Sequence, residues 1–208
     1  MDQRRASVVD PNRNALWVYQ LDNRSEPRQL PVTNDSAGSF APDGSFWFTS
    51  DGAVRRLSGS GELMPVPVVD GPAAGITLVR VARDGVRVAV VARGRALMGV
   101  IERSTEGAAS VVSLRPLVGS LRGVRDLSWR TATDMDVLGS LSGTGRQLVR
   151  IGVGTGTAQG LRAPTGTTDV AAAPAATTLA VAADRIIHAN VGLQWRQQGP
   201  GESVAYPG

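Results

Sequence analysis

Short apolar runs separated by turn dipeptides recur along this chain at a nearly even interval. The clearest example is Val79 to Ala92, where two valine-rich runs flank Asp84-Gly85. Asp-Gly between β-formers predicts a tight hairpin, because Gly accepts the positive φ that such turns require. The same design stands upstream from Ser39 to Thr49 around Asp43-Gly44, and weaker versions follow at Leu127 to Arg130 and at Val170 to Pro174.

Read in this way, the chain opens with strands at Ala6–Val9 and Ala15–Leu21, closed by Arg28–Pro31. A first strand is missing from that group, so it is a partial repeat. The second group places strands at Gly38–Phe40, Ser45–Thr49, Ala53–Leu57 and Leu63–Val69, with turns at Asp43-Gly44, Asp51-Gly52 and Gly59-Ser60-Gly61. The third places them at Ile76–Val81, Val86–Ala92, Ala96–Ile101 and Ser110–Leu114. The fourth has Val124–Trp129, Met135–Leu141, Gln147–Val153 and Ala158–Leu161. The fifth has Thr168–Ala173, Thr178–Ala182, Arg185–Asn190 and Gly192–Gln198.

The positions that close each first strand, Pro42, Arg83, Arg130 and Pro174, lie 41, 47 and 44 residues apart. Four short antiparallel strands per repeat of that length predict an all-β fold, a β-propeller of four-stranded antiparallel blades. A β-sandwich would repeat on a shorter interval. No segment keeps an apolar 3.6-residue period, so helix should be scarce. Strands such as Val86–Ala92 are nearly all apolar, as expected of sheets stacked on both faces. The 208 residues therefore read as one propeller domain or part of one, about four blades plus a partial N-terminal blade.

Composition narrows the function. All 22 basic residues are Arg, and the formal net charge is only +4, so the basicity is dispersed. Aromatics make up 4%, too few to interleave with Arg as a nucleic-acid surface requires, so no nucleic-acid partner is expected. The absence of Cys removes disulfides, zinc thiolates and thiol nucleophiles.

No chemical motif survives inspection. His188 is the sole histidine and lies in an expected strand with no nucleophile or acid in a recognisable pattern. Asp43, Asp51, Asp84, Asp134 and Asp136 fall mostly at turns, where Asp bonds its own backbone. The pair Asp134 and Asp136 lacks the alternating oxygen ligands of a calcium loop. The run Gly152-Val153-Gly154-Thr155-Gly156-Thr157 lacks the Lys and the following helix of a phosphate loop, and reads as a glycine-rich hairpin. Trp17, Trp47, Trp129 and Trp195 are expected to pack between blades. No catalytic, metal or cofactor residue is assigned, no cofactor is expected, and the binding residues stay open.

The hairpins at Asp43-Gly44 and Asp84-Gly85, the Leu127-Ser128-Trp129 strand, Gln194-Trp195 and the terminal Tyr206-Pro207-Gly208 resemble the C-terminal β-propeller of actinobacterial LpqB lipoproteins, from about Ser7 to Gly208. The resemblance implies a lipid-anchored protein outside the cytoplasmic membrane. It also implies association with the MtrA–MtrB two-component system through the extracellular part of the sensor kinase, and no enzymatic activity. The signal, lipobox Cys and GerMN-like region of that family are not found here, so the chain reads as part of a longer protein. An open arc of blades, or a strained small ring, with one apolar blade face uncovered near the N-terminus, is the corresponding expectation. The alternative is a ligand-binding or hydrolytic propeller acting at the cell envelope.

Overall fold

A computed structural model of the chain describes residues 5–10, 12–20, 26–32, 38–72, 74–143, 145–172, 178–191 and 194–201. Every regular element in them is a strand, and no helix among the described residues is long and apolar enough to cross a membrane. The chain is an all-β propeller built of antiparallel blades.

The first blade holds β1 (Arg5–Asp10), β2 (Ala15–Gln20) and β3 (Arg28–Pro31) in that spatial order. These strands fall where Ala6–Val9, Ala15–Leu21 and Arg28–Pro31 were expected. The second blade orders β4 (Ser39–Phe40), β5 (Phe46–Ser50), β6 (Ala53–Leu57) and β7 (Leu63–Pro65). The third orders β8 (Ile76–Val81), β9 (Arg87–Ala92), β10 (Arg95–Arg103) and β11 (Ala109–Pro116). The fourth orders β12 (Leu121–Trp129), β13 (Asp134–Leu141), β14 (Gln147–Gly152) and β15 (Ala158–Leu161). The fifth orders β16 (Thr167–Ala172), β17 (Leu179–Ala183), β18 (Ile186–Val191) and β19 (Gln194–Pro200).

These blades gather into two compact units. One runs to Arg93 and includes Leu97–Arg115; the other contains Gly94–Ala96 and continues from Pro116. In the first unit, β5 shows how the period of two builds the core. Trp47 points into a cluster with Val79, Val81, Val88, Val90 and Val111 of the third blade. Its neighbours Phe46 and Phe48 point the other way, onto Leu16, Val18 and Leu30 of the first blade. A strand covered on both sides has no polar face, and every residue of β5 is buried. In the second unit, Leu138 and Leu148 meet Val170, Leu179 and Val181 in the same manner.

The hairpin glycines behave as the dipeptides predict: Gly44 has φ +76° and Gly85 has φ +68°. Two strand expectations change. The strand expected over Leu63–Val69 ends at Pro65, because Pro65 and Pro67 have no N–H for the ladder. Val68 instead bridges to Val111, with the Val69 N–H on the Val111 carbonyl at 2.8 Å. The strand expected from Val124 begins at Leu121, since a bulge between Arg122 and Asp126 absorbs a register shift, with Gly123 at φ +58°. Leu21, Ala173, Pro174, Gly192 and Tyr206 to Gly208, all used in the sequence reading, lie outside the described residues.

Candidate functional site

In the first unit a carboxylate and two guanidiniums meet where β4 turns into β5. There Asp43 accepts the Ser45 N–H at 3.0 Å and the Ser45 hydroxyl at 2.5 Å. The Ser45 Oγ in turn accepts the indole N–H of Trp47 at 2.9 Å. Arg56 from β6 and Arg103 from β10 each place Nη2 3.2 Å from the Asp43 Oδ2. Partial burial by itself raises the Asp43 carboxyl. The two Ser45 hydrogen bonds and the charges of Arg56 and Arg103 outweigh that, and hold it below the ordinary carboxylate value.

The same guanidiniums hold neighbouring turns. Arg56 donates from Nη1 to the Gly107 carbonyl at 2.8 Å, and Arg103 from Nη1 to the Gly85 carbonyl at 2.8 Å. From the first blade, Arg5 donates to the Gly44 carbonyl and Arg28 to the Gly61 carbonyl. A turn carbonyl that points away from its own ladder needs a donor, and a planar guanidinium can serve a carbonyl and a carboxylate together. Four turns are thus clamped by Arg. The Nε of Arg56 is buried without a partner, while its two terminal nitrogens serve Gly107 and Asp43.

Beside these clamps lies a cavity of about 210 Å³ between the first and second blades. Val18, Phe40, Phe46 and Leu57 form its apolar floor, with the Phe40 and Phe46 rings 4.7 Å apart. Arg5, Arg28 and Glu26 stand around it.

The residues weighed in the sequence occupy different places. Asp43, Asp51 and Asp84 sit in turns, and Asp84 caps the Val86 and Arg87 N–H groups at 2.9 and 3.0 Å. Asp134 and Asp136 do not follow the turn reading, since both belong to β13. Asp134 accepts the Thr131 hydroxyl at 2.8 Å. Asp136 is fully buried, bound by the Arg150 Nε at 2.9 Å with the Arg130 Nη1 at 3.6 Å. Burial of Asp136 follows from β13 being an inner strand covered on both faces, which its local sequence does not reveal. No cluster of three potential metal ligands occurs among the described residues.

His188 pairs across the ladder with Val181 and Gln197 in the middle of β18. The glycine-rich run forms the β14–β15 hairpin, with the Thr155 and Thr157 hydroxyls 2.8 Å apart. Trp47 and Trp195 pack between blades, the latter donating to the Arg162 carbonyl at 2.9 Å, and Trp129 is buried. Trp17 departs from that pattern. It is half-buried beside an open groove with Val8 and Tyr19.

Two features escaped the sequence reading. Arg56 and Arg103 look like dispersed surface arginines, and only the turns they meet give them a role. Asp126 is buried and accepts the Val170 N–H at 2.9 Å. The 44-residue offset between them, one repeat length, is the signal that could have found it.

Comparison with known proteins follows the same lines. The family described as "Lipoprotein LpqB beta-propeller domain" matches residues 1–207. A lipoprotein LpqB of Thermobifida fusca is 34% identical over 69% of this chain and 24% of its own length. One of Streptomyces coelicolor is 32% identical over 82% of this chain and 30% of its own. One of Streptomyces avermitilis is 31% identical over all of this chain and 38% of its own. The chain thus spans about a quarter to two fifths of these relatives. Among solved structures, a TolB-like protein of Agrobacterium tumefaciens superposes with a TM-score of 0.60 at 15% identity, covering 82% of this chain and 63% of that one. A nidogen/laminin complex gives a TM-score of 0.65 at 10% identity, covering 95% and 76%. At such identities these structures are similar in fold alone.

Proposed function

Because the chain belongs to the LpqB lipoprotein β-propeller family, we propose that it is a non-enzymatic interaction module acting on the outer side of the cytoplasmic membrane. Its partner in this reading is the extracellular part of a two-component sensor kinase, as the resemblance to the MtrA–MtrB-associated lipoproteins implies. Its effect is to modulate that signalling, with membrane attachment through a lipid anchor.

The observation that supports this reading is the set of Arg clamps on the turns of the first unit. Arg5, Arg28, Arg56 and Arg103 tie turn carbonyls across the loop ends, so the loops present a fixed shape. A surface ordered before binding loses little entropy on association, which suits a docking face. The Asp43 carboxylate is likewise committed to Ser45, Arg56 and Arg103 rather than poised for proton transfer.

The test is a titration of the purified extracellular domain of an actinobacterial sensor kinase onto the immobilised chain. Saturable binding with Kd of about 10 μM or tighter is expected. Absence of binding at concentrations about tenfold higher, by a chain shown to be folded, overturns the proposal.

A further inference from the structure

We propose that the outer edge of β19 is a docking strand, which takes an extended segment of another protein as an added strand of the fifth blade. A carboxylate of that segment lies beside Arg196. This rests on the reading of the chain as an interaction module, and names where it grips and what it grips.

The outer strand of a blade pairs on one side only, and its other row of N–H and C=O groups is a template for a further strand. The first four blades limit that template. β3 has four residues, follows Pro27 and ends at Pro31. β7 has three and ends at Pro65. β15 has four, and the Trp195 indole takes the carbonyl of Arg162 just beyond it. β11 has eight, but the chain itself covers part of its edge. Val111 donates to the Pro67 carbonyl and accepts the Val69 N–H, both at 2.8 Å. Two residues on, Ser113 turns the backbone left-handed at φ +56°.

The fifth blade differs. β19 runs for seven residues with its proline in last place, and among the described residues no strand pairs with its outer side. Residues 194–197 keep consecutive partners, 191 to 188, before a bulge at Gln198. Trp195 packs on the core shared by the fourth and fifth blades, which fixes the strand, while Gln194, Arg196, Gln197 and Gln198 are exposed. The segment on β11 shows what such an edge accepts: extended backbone held by main-chain bonds, with no pocket needed.

Arg196 decides between partners, being the one charged residue of β19. A two-fold pairing with a second copy, centred anywhere from Trp195 to Gln197, sets the two Arg196 side chains opposite or diagonal to each other, where like charges repel. A foreign strand with Asp or Glu at that place gains instead.

Fluorescence anisotropy measures binding of three fluorescein-labelled pentapeptides to the 208-residue chain. The probes are Thr-Val-Glu-Val-Thr, Thr-Val-Lys-Val-Thr, and the first of these N-methylated at every amide. The glutamate peptide should bind about fivefold more tightly than the lysine peptide. It should bind at least about tenfold more tightly than the methylated one, which has no N–H for the ladder. Arg196→Glu should reverse the preference between glutamate and lysine. Hydrogen exchange of the unaltered chain should slow across residues 194–200 when the glutamate peptide is added, which locates the site even if the variant fails to fold. Equal binding of the methylated peptide, indifference to Arg196→Glu, unchanged exchange at 194–200, or no binding of any probe overturns the proposal. So does sedimentation of the chain alone as a dimer with those residues protected, which makes a second copy the occupant. The sensor-kinase domain is titrated in parallel. Its binding without protection of 194–200 rejects the edge and leaves the module reading; peptide binding at the edge without it leaves the edge and rejects the named partner.

Discussion

Asp126 accepts the backbone N–H of Val170 at 2.9 Å, tying β12 to β16 across 44 residues of chain. Two residues on, Ser128 does the same for Ala172 at 2.9 Å. In the first unit, Ser39 accepts the Val81 N–H at 3.0 Å, linking β4 to β8. β12 and β16, like β4 and β8, belong to different sheets and share no ladder, so an edge N–H between them needs an acceptor from a side chain. A side-chain oxygen one repeat earlier supplies the missing acceptor.

Removing that acceptor should be costly: Ser128→Ala takes the side-chain acceptor from the Ala172 N–H, and Asp126→Ala leaves the Val170 N–H only the Oδ1 of the adjacent Asp169 at 2.9 Å. Asp126→Ala and Ser128→Ala are each expected to destabilise the chain by about 1 kcal/mol. Asp126→Asn, whose amide oxygen still accepts, should lose less. Urea denaturation monitored by Trp fluorescence gives the comparison; equal stability of Asp126→Ala and the parent would remove this role.

Acid should weaken the Arg clamps of the first unit. Asp43 and Asp84 are both held below the ordinary value of 3.8. For Asp84, as for Asp43, burial raises the carboxyl, but the Arg87 and Val86 hydrogen bonds and the Arg87 charge prevail. Both pKa values are depressed on folding, so their stabilisation is fully present well above pH 3.8 and is lost as pH falls through the lower folded values. Asp43→Asn should flatten the acid limb of a melting-temperature profile and leave the neutral plateau lower. An unchanged acid limb would contradict the assignment.

The Asp136–Arg150 pair sets a different test. Asp136 is fully buried while the Arg150 side chain is 31% exposed. Asp136→Leu alone strands the Arg150 and Arg130 charges and should cost about 3 kcal/mol. Adding Arg150→Met should recover much of that, since a well-packed apolar pair can replace a buried ion pair. A double variant as unstable as the single one would show that the pair is doing something other than matching charge.

Backbone position decides what each glycine tolerates. Gly44→Ala and Gly85→Ala each force a side chain into left-handed backbone and should cost about 1–2 kcal/mol. Gly38→Ala should cost more. A Cβ there would lie 2.1 Å from the Phe46 ring and 2.5 Å from the Trp47 carbonyl, whose backbone cannot step aside. Thermal melts of the three variants rank them directly.

What the sequence determined by itself is the repeat: strands, hairpin turns at Asp43-Gly44 and Asp84-Gly85, and an interval of 41 to 47 residues. These follow from local chemistry, since Asp-Gly turns and valine-rich runs need no distant partner to declare themselves. Tertiary structure decided the rest. Asp43 and Asp136 look alike in the sequence, yet one sits in a turn bridged by two arginines and the other is sealed inside β13. Pro65 and Pro67 cut β7 short, and Val68 found Val111 on the next blade instead. Arg5 and Arg28 became the rim of a cavity only when their blade stacked on Phe46 and Leu57. Burial and charge pairing are properties of which faces meet, and that is set by blades stacking across forty residues or more of chain.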